Sequence, residues 1–198
     1  MYNKTSEKIH ICQGDLFQKF DYVRWAFLDS ETEEIKIDQI TIPFFVVLTQ
    51  ACDLQQDYKD RNENNGGKQD KVIDSVLVCP AYIAELVKQG KHLEKLRITR
   101  EQYNSERWNV IKRNNNARYH FLKEDKKLKI PELVVDFKQY YTIPTKVMYE
   151  ILKKHYIGSM KELYREDLSQ RFAYYLSRIG LPEIEKIEGQ GSKTIKSV

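Results

Sequence analysis

Cysteine is scarce in this sequence, and so are long apolar runs. The three thiols, Cys12, Cys52 and Cys79, are odd in number and widely spaced, which argues against a secreted disulfide framework. No pair of Cys or His has the CxxC or HxxxH spacing of a metal site. No apolar stretch approaches the ~20 residues needed to cross a bilayer. The opening MYNKTSEKIH lacks the apolar centre of a signal peptide. There is no internal repeat. Each absence narrows the class: we expect a cytoplasmic protein with reduced thiols, no membrane contact, no bound metal and no cofactor.

What is present suits a single folded unit. In 198 residues, 41% hydrophobic and 31% charged side chains describe a globular chain long enough to bury a core without staples. Thirteen Tyr and eight Phe favour strands and contact surfaces. The net charge of +4 hides a separation of sign. Residues 1–60 hold 6 Lys/Arg against 11 Asp/Glu, and the remainder 27 against 18. A basic half of this kind suits a partner of opposite charge, though it equally suits a solvated surface.

The pattern along the chain is β-rich first and helical last. IHICQGDLFQ (9–18) reads as a strand interrupted at Gly14-Asp15, and Val23, Trp25 and Phe27 alternate as in a half-buried strand. Ile35, Ile37, Ile40 and Ile42 follow with a slip of phase, and Pro43 opens the apolar run FFVVLT, expected to be a central strand. The segment 55–74 is polar and reads as a long solvated loop. It fails the calcium-loop test, because counting from Asp60 puts Asn65 at position six and Lys71 at position twelve. Gly66-Gly67 also lacks the Lys-Ser/Thr of a phosphate loop. SVLVC (75–79) resumes a strand that Pro80 should end. Helical patterns follow at about 81–90 and 99–112, the second opened by a capping box from Thr99 to Gln102. RYHFL (118–122) and LVVDFKQYYTI (133–143) read as strands. From Pro144 the pattern is helical, with Leu168, Phe172, Tyr175, Leu176 and Ile179 on one face and Gly180 and Pro182 as a stop.

Three fragments, in order, resemble the PemK/MazF-type toxin fold. Gln13-Gly14-Asp15-Leu16 is similar to that family's opening strand. Pro43 to Thr49 is similar to its "RPxxVxS" strand, and Val76 to Pro80 to a later strand that ends in Pro before a Thr. The resemblance covers roughly residues 11–80 and implies an SH3-like barrel, with strands in 118–143 completing it. It also implies RNA as ligand and metal-independent cleavage assisted by an Arg and a Thr. Here Ile42 precedes Pro43 and Ala81 follows Pro80, so neither of those side chains is matched.

Two constellations are candidates for chemistry. Cys52 at the end of FFVVLT needs a base and an orienting carboxylate to act as a nucleophile, and His120 and Asp136 on later strands are the candidates. A buried thiol beside a turn carboxylate, Asp53, is the competing reading. The second constellation is the basic run 97–130, with ten Lys/Arg against four acids and aromatics interleaved. Arg107, Trp108, Lys112, Arg113, Asn115, Arg118 and Tyr119 supply cations for phosphates, rings for unstacked bases and amides for base edges. The same aromatics also suit a core. Within the run, His120 is a candidate general base and Arg118 or Arg113 a candidate for stabilising a charged phosphate. Arg171 and Arg178 lie two helical turns apart, on a face that suits pairing with Glu166 and Asp167 or an acidic partner.

The expectation is therefore an α+β protein. Residues 1–143 would form a small antiparallel SH3-like β-barrel with a helical insertion at about 81–112. Residues 144–182 would be a helical extension able to carry a protein partner, and 183–198 a flexible tail. The expected function is binding of RNA or single-stranded nucleic acid, with cleavage if the resemblance extends to activity. The alternatives are a non-catalytic protein-interaction subunit and a cysteine-dependent enzyme using Cys52 and His120.

Overall fold

The chain is seen in a computed structural model that describes residues 1–5, 7–64 and 70–178. Among these, eight strands form one antiparallel sheet that curls into a half-barrel, with five α-helices packed around it, so the fold is α+β. The strands are β1 (Tyr2–Asn3), β2 (Asp15–Leu28), β3 (Ile35–Val47), β4 (Ser75–Ile83), β5 (Tyr119–Leu122), β6 (Leu133–Asp136), β7 (Tyr141–Pro144) and β8 (Tyr156–Met160). The helices are α1 (Ala51–Lys59), α2 (Ala84–Lys88), α3 (Ser105–Lys112), α4 (Thr145–His155) and α5 (Glu162–Leu176). No described helix is long and apolar enough to cross a membrane.

The sheet runs β1-β8-β2-β3-β4-β6-β5, with β7 also paired to β4. Its centre is the second half of β3, where Phe45, Val46 and Val47 are fully buried and the first two are paired on both sides, Phe45 with Phe17 and Pro80, Val46 with Leu16 and Cys79. Side chains alternate between two layers of core, as the period of a strand requires. One layer joins Leu16, Val46, Cys79, Leu133 and Phe137 to Leu168 and Phe172 of α5. The other joins Phe17, Phe45, Val47 and Val78 to Met148 and Leu152 of α4. A third core lies under α2 and α3, built from Tyr82, Val87, Tyr103, Ile111, Tyr119 and Val134.

Several segments depart from expectation for identifiable reasons. β3 runs unbroken through Pro43, where the ladder with β2 skips a pair and Lys19 opposite adopts a left-handed φ of 52°. β4 likewise continues through Pro80 to Ile83. The polar stretch after Cys52 is a helix, α1, extended by a π-helical turn over Asp60–Asn64. Buried Leu54 and Asp57 hold it down, Asp57 accepting from Arg61 Nε at 2.8 Å and from the Ile73 amide at 2.8 Å. α3 is capped by Asn104, whose side chain accepts from the Arg107 amide, rather than by Thr99. The run 133–143 divides into β6 and β7 at a turn. The segment after Pro144 is not wholly helical, because β8 lies in the sheet between β1 and β2. Leu176 on α5 is 52% exposed, while Ile179, the Gly180 and Pro182 stop and the expected tail 183–198 lie outside the described residues.

The candidate functional site

The residues that carry the family resemblance meet in space, and their roles are structural. Gly14 turns the chain at φ 80°, where an added Cβ would lie 2.8 Å from the Arg165 Cβ. Its amide donates to the Val47 carbonyl at 2.9 Å. Gln13 Nε2 donates to the Leu48 carbonyl at 3.1 Å and to Ser169 Oγ at 3.2 Å. Asp15 is fully buried and accepts from the Cys12 amide at 2.7 Å and Ser159 Oγ at 2.6 Å, with Lys8 Nζ at 3.1 Å. Thr49 Oγ1 accepts from the Leu77 amide at 2.7 Å. Each polar group is thus spent tying the ends of β2, β3, β4 and β8 together.

Cys52 and Asp53 stand in the first turn of α1, not at a strand end. Both are exposed, and the Cys52 thiol reaches only Gln50 Oε1 at 3.6 Å and Asp53 Oδ1 at 3.5 Å. Asp53 sits where a carboxylate favours the positive end of the helix. Neither partner is a base suited to activating a thiol, and His120 and Asp136 are engaged elsewhere. The buried thiol is Cys79, whose Sγ donates to the Asp136 carbonyl at 3.2 Å. Burial pushes its pKa well up. In a thiol titration with a disulfide reagent, Cys52 should react fast and Cys79 only as the protein unfolds; comparable rates for both would contradict these positions.

β5 and β6 separate the other two members of the proposed catalytic set. Tyr119 pairs with Asp136 and His120 with Val135, so Asp136 shares a face with Tyr119 while His120 points to the opposite one. On its face, His120 is 2% exposed and accepts at Nδ1 from Arg171 Nε at 3.1 Å. Desolvation and the Arg171 charge depress its pKa to about 3, so the ring is neutral with its proton on Nε2. Arg171 does not pair with a surface acid. Its guanidinium donates to the carbonyls of Asn114, Asn116 (2.8 Å) and Tyr119 (2.9 Å), clamping α5 onto the turn before β5. Arg178 donates to the Tyr175 carbonyl at 3.1 Å and lies over its ring.

Asp136 anchors a separate cluster. Arg118 grips it in a fork, Nε to Oδ1 at 2.7 Å and Nη2 to Oδ2 at 2.6 Å, and the Lys138 amide adds a third bond at 3.1 Å. Burial pushes the Asp136 carboxyl up, but these bonds and the Arg118 charge outweigh it, and the group sits below the usual carboxylate range. His92 Nε2 lies 3.6 Å from Asp136 Oδ2, beyond hydrogen-bond distance, and neither ring nitrogen has a hydrogen-bond partner. His92 is 8% exposed and lines two cavities. The smaller, of about 170 Å³, is walled by Gly90, Leu93, Thr99, Arg100 and Arg118. Arg100 lies over the Tyr103 ring at 4.1 Å and donates to Tyr119 Oη at 3.3 Å, which leaves most of its guanidinium donors free. Gly90, with φ 75°, lets the Arg100 backbone approach so closely that an added Cβ would lie 2.1 Å from its carbonyl oxygen.

Along the basic run, Arg107, Lys112, Arg113 and Asn115 are exposed and Trp108 is half-buried. Tyr119 is 1% exposed, and with Tyr103 and Phe121 it belongs to the core beneath α3 rather than to a stacking surface. Lys112 also lies 3.7 Å from Glu132 on the loop entering β6. The sequence did not single out His92, and Arg100 stood there only as one of the ten cations of the basic run. The one signal in the sequence was a lone His two residues after Gly90, too little without the fold. Among the described residues, no three His, Cys, Asp or Glu side chains are grouped to hold a metal ion. No family model matches this chain, and neither a curated protein nor a solved structure matches it.

Proposed function

We propose that the protein binds RNA or another single-stranded nucleic acid on an SH3-like barrel of the PemK/MazF type, and binds it without cleaving it. The observation that carries this reading is the concentration of exposed cationic side chains on one packed unit, in excess of the acids that pair with Lys112 and Lys126. α3 and the Arg113 that follows it present Arg107, Lys112 and Arg113 to solvent, and the segment after β5 adds exposed Lys123, Lys126, Lys127 and Lys129. The same unit holds the Arg100 and Arg118 pocket, which suits a phosphate. The half-exposed Trp108 ring and the exposed Asn115 amide are available to bases. Binding rather than cleavage is favoured because His120 is locked, neutral and buried, Asp136 is held by Arg118, and Cys52 has no base.

The test is a salt series with a short single-stranded RNA of mixed sequence. Affinity should fall steeply with added salt, with a slope of roughly 0.7 per phosphate contacted. Arg107→Gln, Lys112→Gln and Arg113→Gln together should flatten that slope and weaken binding at least about tenfold, since phosphate contacts act largely by charge. No binding at low salt, or an unchanged slope in the triple variant, would overturn the proposal.

A further inference from the structure

The hairpin of β2 and β3 outgrows the sheet that supports it. At its root, Phe20, Tyr22 and Ile40 pack on the core beside α4, with Tyr22 against Tyr141 at 4.8 Å. Beyond that point only β2 and β3 pair with each other, from Val23–Gln39 out to Leu28–Ile35, across a bulge between Val23 and Trp25. The result is a two-stranded arm roughly 20 Å long by the rise of a strand. Both of its faces are apolar and open. Leu28 faces Ile35 and Ala26 faces Ile37 on one side, with Leu28, Ile35 and Ile37 exposed by 60% or more. Trp25 and Phe27, their rings 5.1 Å apart, occupy the other and are about half exposed.

Such an arm is an unfinished structure. An isolated two-stranded ribbon is marginal in water, and its free edges invite pairing. A contiguous apolar patch of this kind marks a surface that another molecule covers. The tip also has a definite charge. Arg24 is paired with Asp38 and Lys36 with Asp29, which leaves Glu31, Glu33 and Glu34 exposed and without a cation at the turn.

The complement lies on the same chain. The larger cavity beside His92, about 720 Å³, is an open apolar groove floored by Ile40, Ile42, Phe44, Tyr82, Leu86 and Leu96. Lys19, Lys91 and Lys95 stand on its lining, with Glu94 the one acid among them. Apolar side chains behind an acidic tip thus match an apolar floor between lysines. Because Lys19 and Ile40 to Phe44 form the root of the arm itself, arm and groove are adjacent on one face. A two-fold axis that seats one arm in a partner's groove seats the partner's arm in return.

We propose that the chain is a reciprocal dimer in which the arm of each copy, Val23 to Asp38, lies in the Tyr82–Leu86 groove of the other. The two exchanged arms, each with six large exposed hydrophobic side chains, bring the contact toward the about 800 Å² per partner typical of specific complexes. The surface is separate from the exposed cations of α3, so the proposal stands or falls apart from nucleic-acid binding.

Sedimentation equilibrium of the full chain tests it. Wild type should be a dimer at micromolar concentration. Ile35→Glu with Ile37→Glu on the arm, and separately Leu86→Glu in the groove, should each weaken dimerisation by at least a hundredfold. All three positions are exposed in the single chain, so the variants should keep the wild-type circular dichroism spectrum, with melting lowered only by the loss of the dimer. A 1:1 mixture of the arm and groove variants should partly recover the dimer, since one arm and one groove remain intact between them. Lys91→Glu with Lys95→Glu should also dissociate it, without touching the apolar contact. A monomeric wild type would overturn the proposal, as would a dimer that survives the arm substitutions. A dimer lost with the arm variant but unaffected by Leu86→Glu and by the lysine reversal would overturn the groove as its seat.

Discussion

Replacing Arg171 by methionine should destabilise the protein by roughly 3–5 kcal/mol, because several acceptors lose their charged donor together. The methionine keeps most of the aliphatic bulk and removes every donor. The carbonyls of Asn114, Asn116 and Tyr119 then lose a charged partner at once, and His120 Nδ1 loses its donor. A buried acceptor left without a partner costs about 1–3 kcal/mol; part of that is recovered where water reaches the half-buried turn. Arg171→Lys should recover less than half of the loss, because one ammonium cannot span a fan of three carbonyls. Urea denaturation of the three proteins measures the effect. A change below about 1 kcal/mol in the methionine variant, the range of an exposed ion pair, would mean that the clamp does not hold in solution.

The second large effect is a loss of stability on acidification, caused by His120. Its pKa in the folded protein is about 3, against 6.5 for a free imidazole, with desolvation the first cause and Arg171 the second. Between those values the unfolded chain binds a proton that the folded chain refuses. Stability contributed by the neutral ring is therefore complete above pH 6.5, falls as the pH falls, and is gone below about 3. The slope approaches about 1.36 kcal/mol per pH unit, for a total on the order of 5 kcal/mol. Carboxylates titrate in the lower part of the same range, so the measurement is a comparison. His120→Gln retains an acceptor for Arg171 and cannot titrate. The difference in stability between wild type and this variant should shrink steadily from pH 6.5 to pH 5, where few carboxylates protonate. Parallel curves would show that the imidazole is not protected.

These two predictions rest on residues for which the sequence suggested other roles, and the reason is general. FFVVLT was legible as a central strand because burial on both faces leaves an unbroken apolar run. Leu168 and Phe172 were legible as a helix face because burial on one side leaves a 3.6-residue period. Arg171 lies on that same helix, and nothing in a charged side chain reports whether it meets water or a row of carbonyls. Likewise, the alternation of RYHFL marked β5 correctly, but not which layer receives His120 and which faces Asp136. That depends on the register with β6. α1 was read as loop because QQDYKD has almost no apolar period; two buried side chains, Leu54 and Asp57, are enough to hold it. The aromatics of the basic run showed the opposite ambiguity. Tyr103, Tyr119 and Phe121 have the composition of a stacking platform and the positions of a core.

The place of β8 between β1 and β2 also sets the order in which the molecule can be completed. Asp15 at the start of β2 pairs with Ser159, and Tyr2 with Met160, so strands made early wait for a strand made much later. Until residue 160 has emerged, one edge of Asp15–Phe17 is bare and the buried Asp15 carboxylate lacks the Ser159 hydroxyl. Closure across so long a loop is slow and exposes apolar surface meanwhile. The nascent chain is then a partly open sheet whose acidic arm has already been made. A chain ending before Tyr156 would leave β1 and the start of β2 without their sheet partner and Asp15 without the Ser159 hydroxyl.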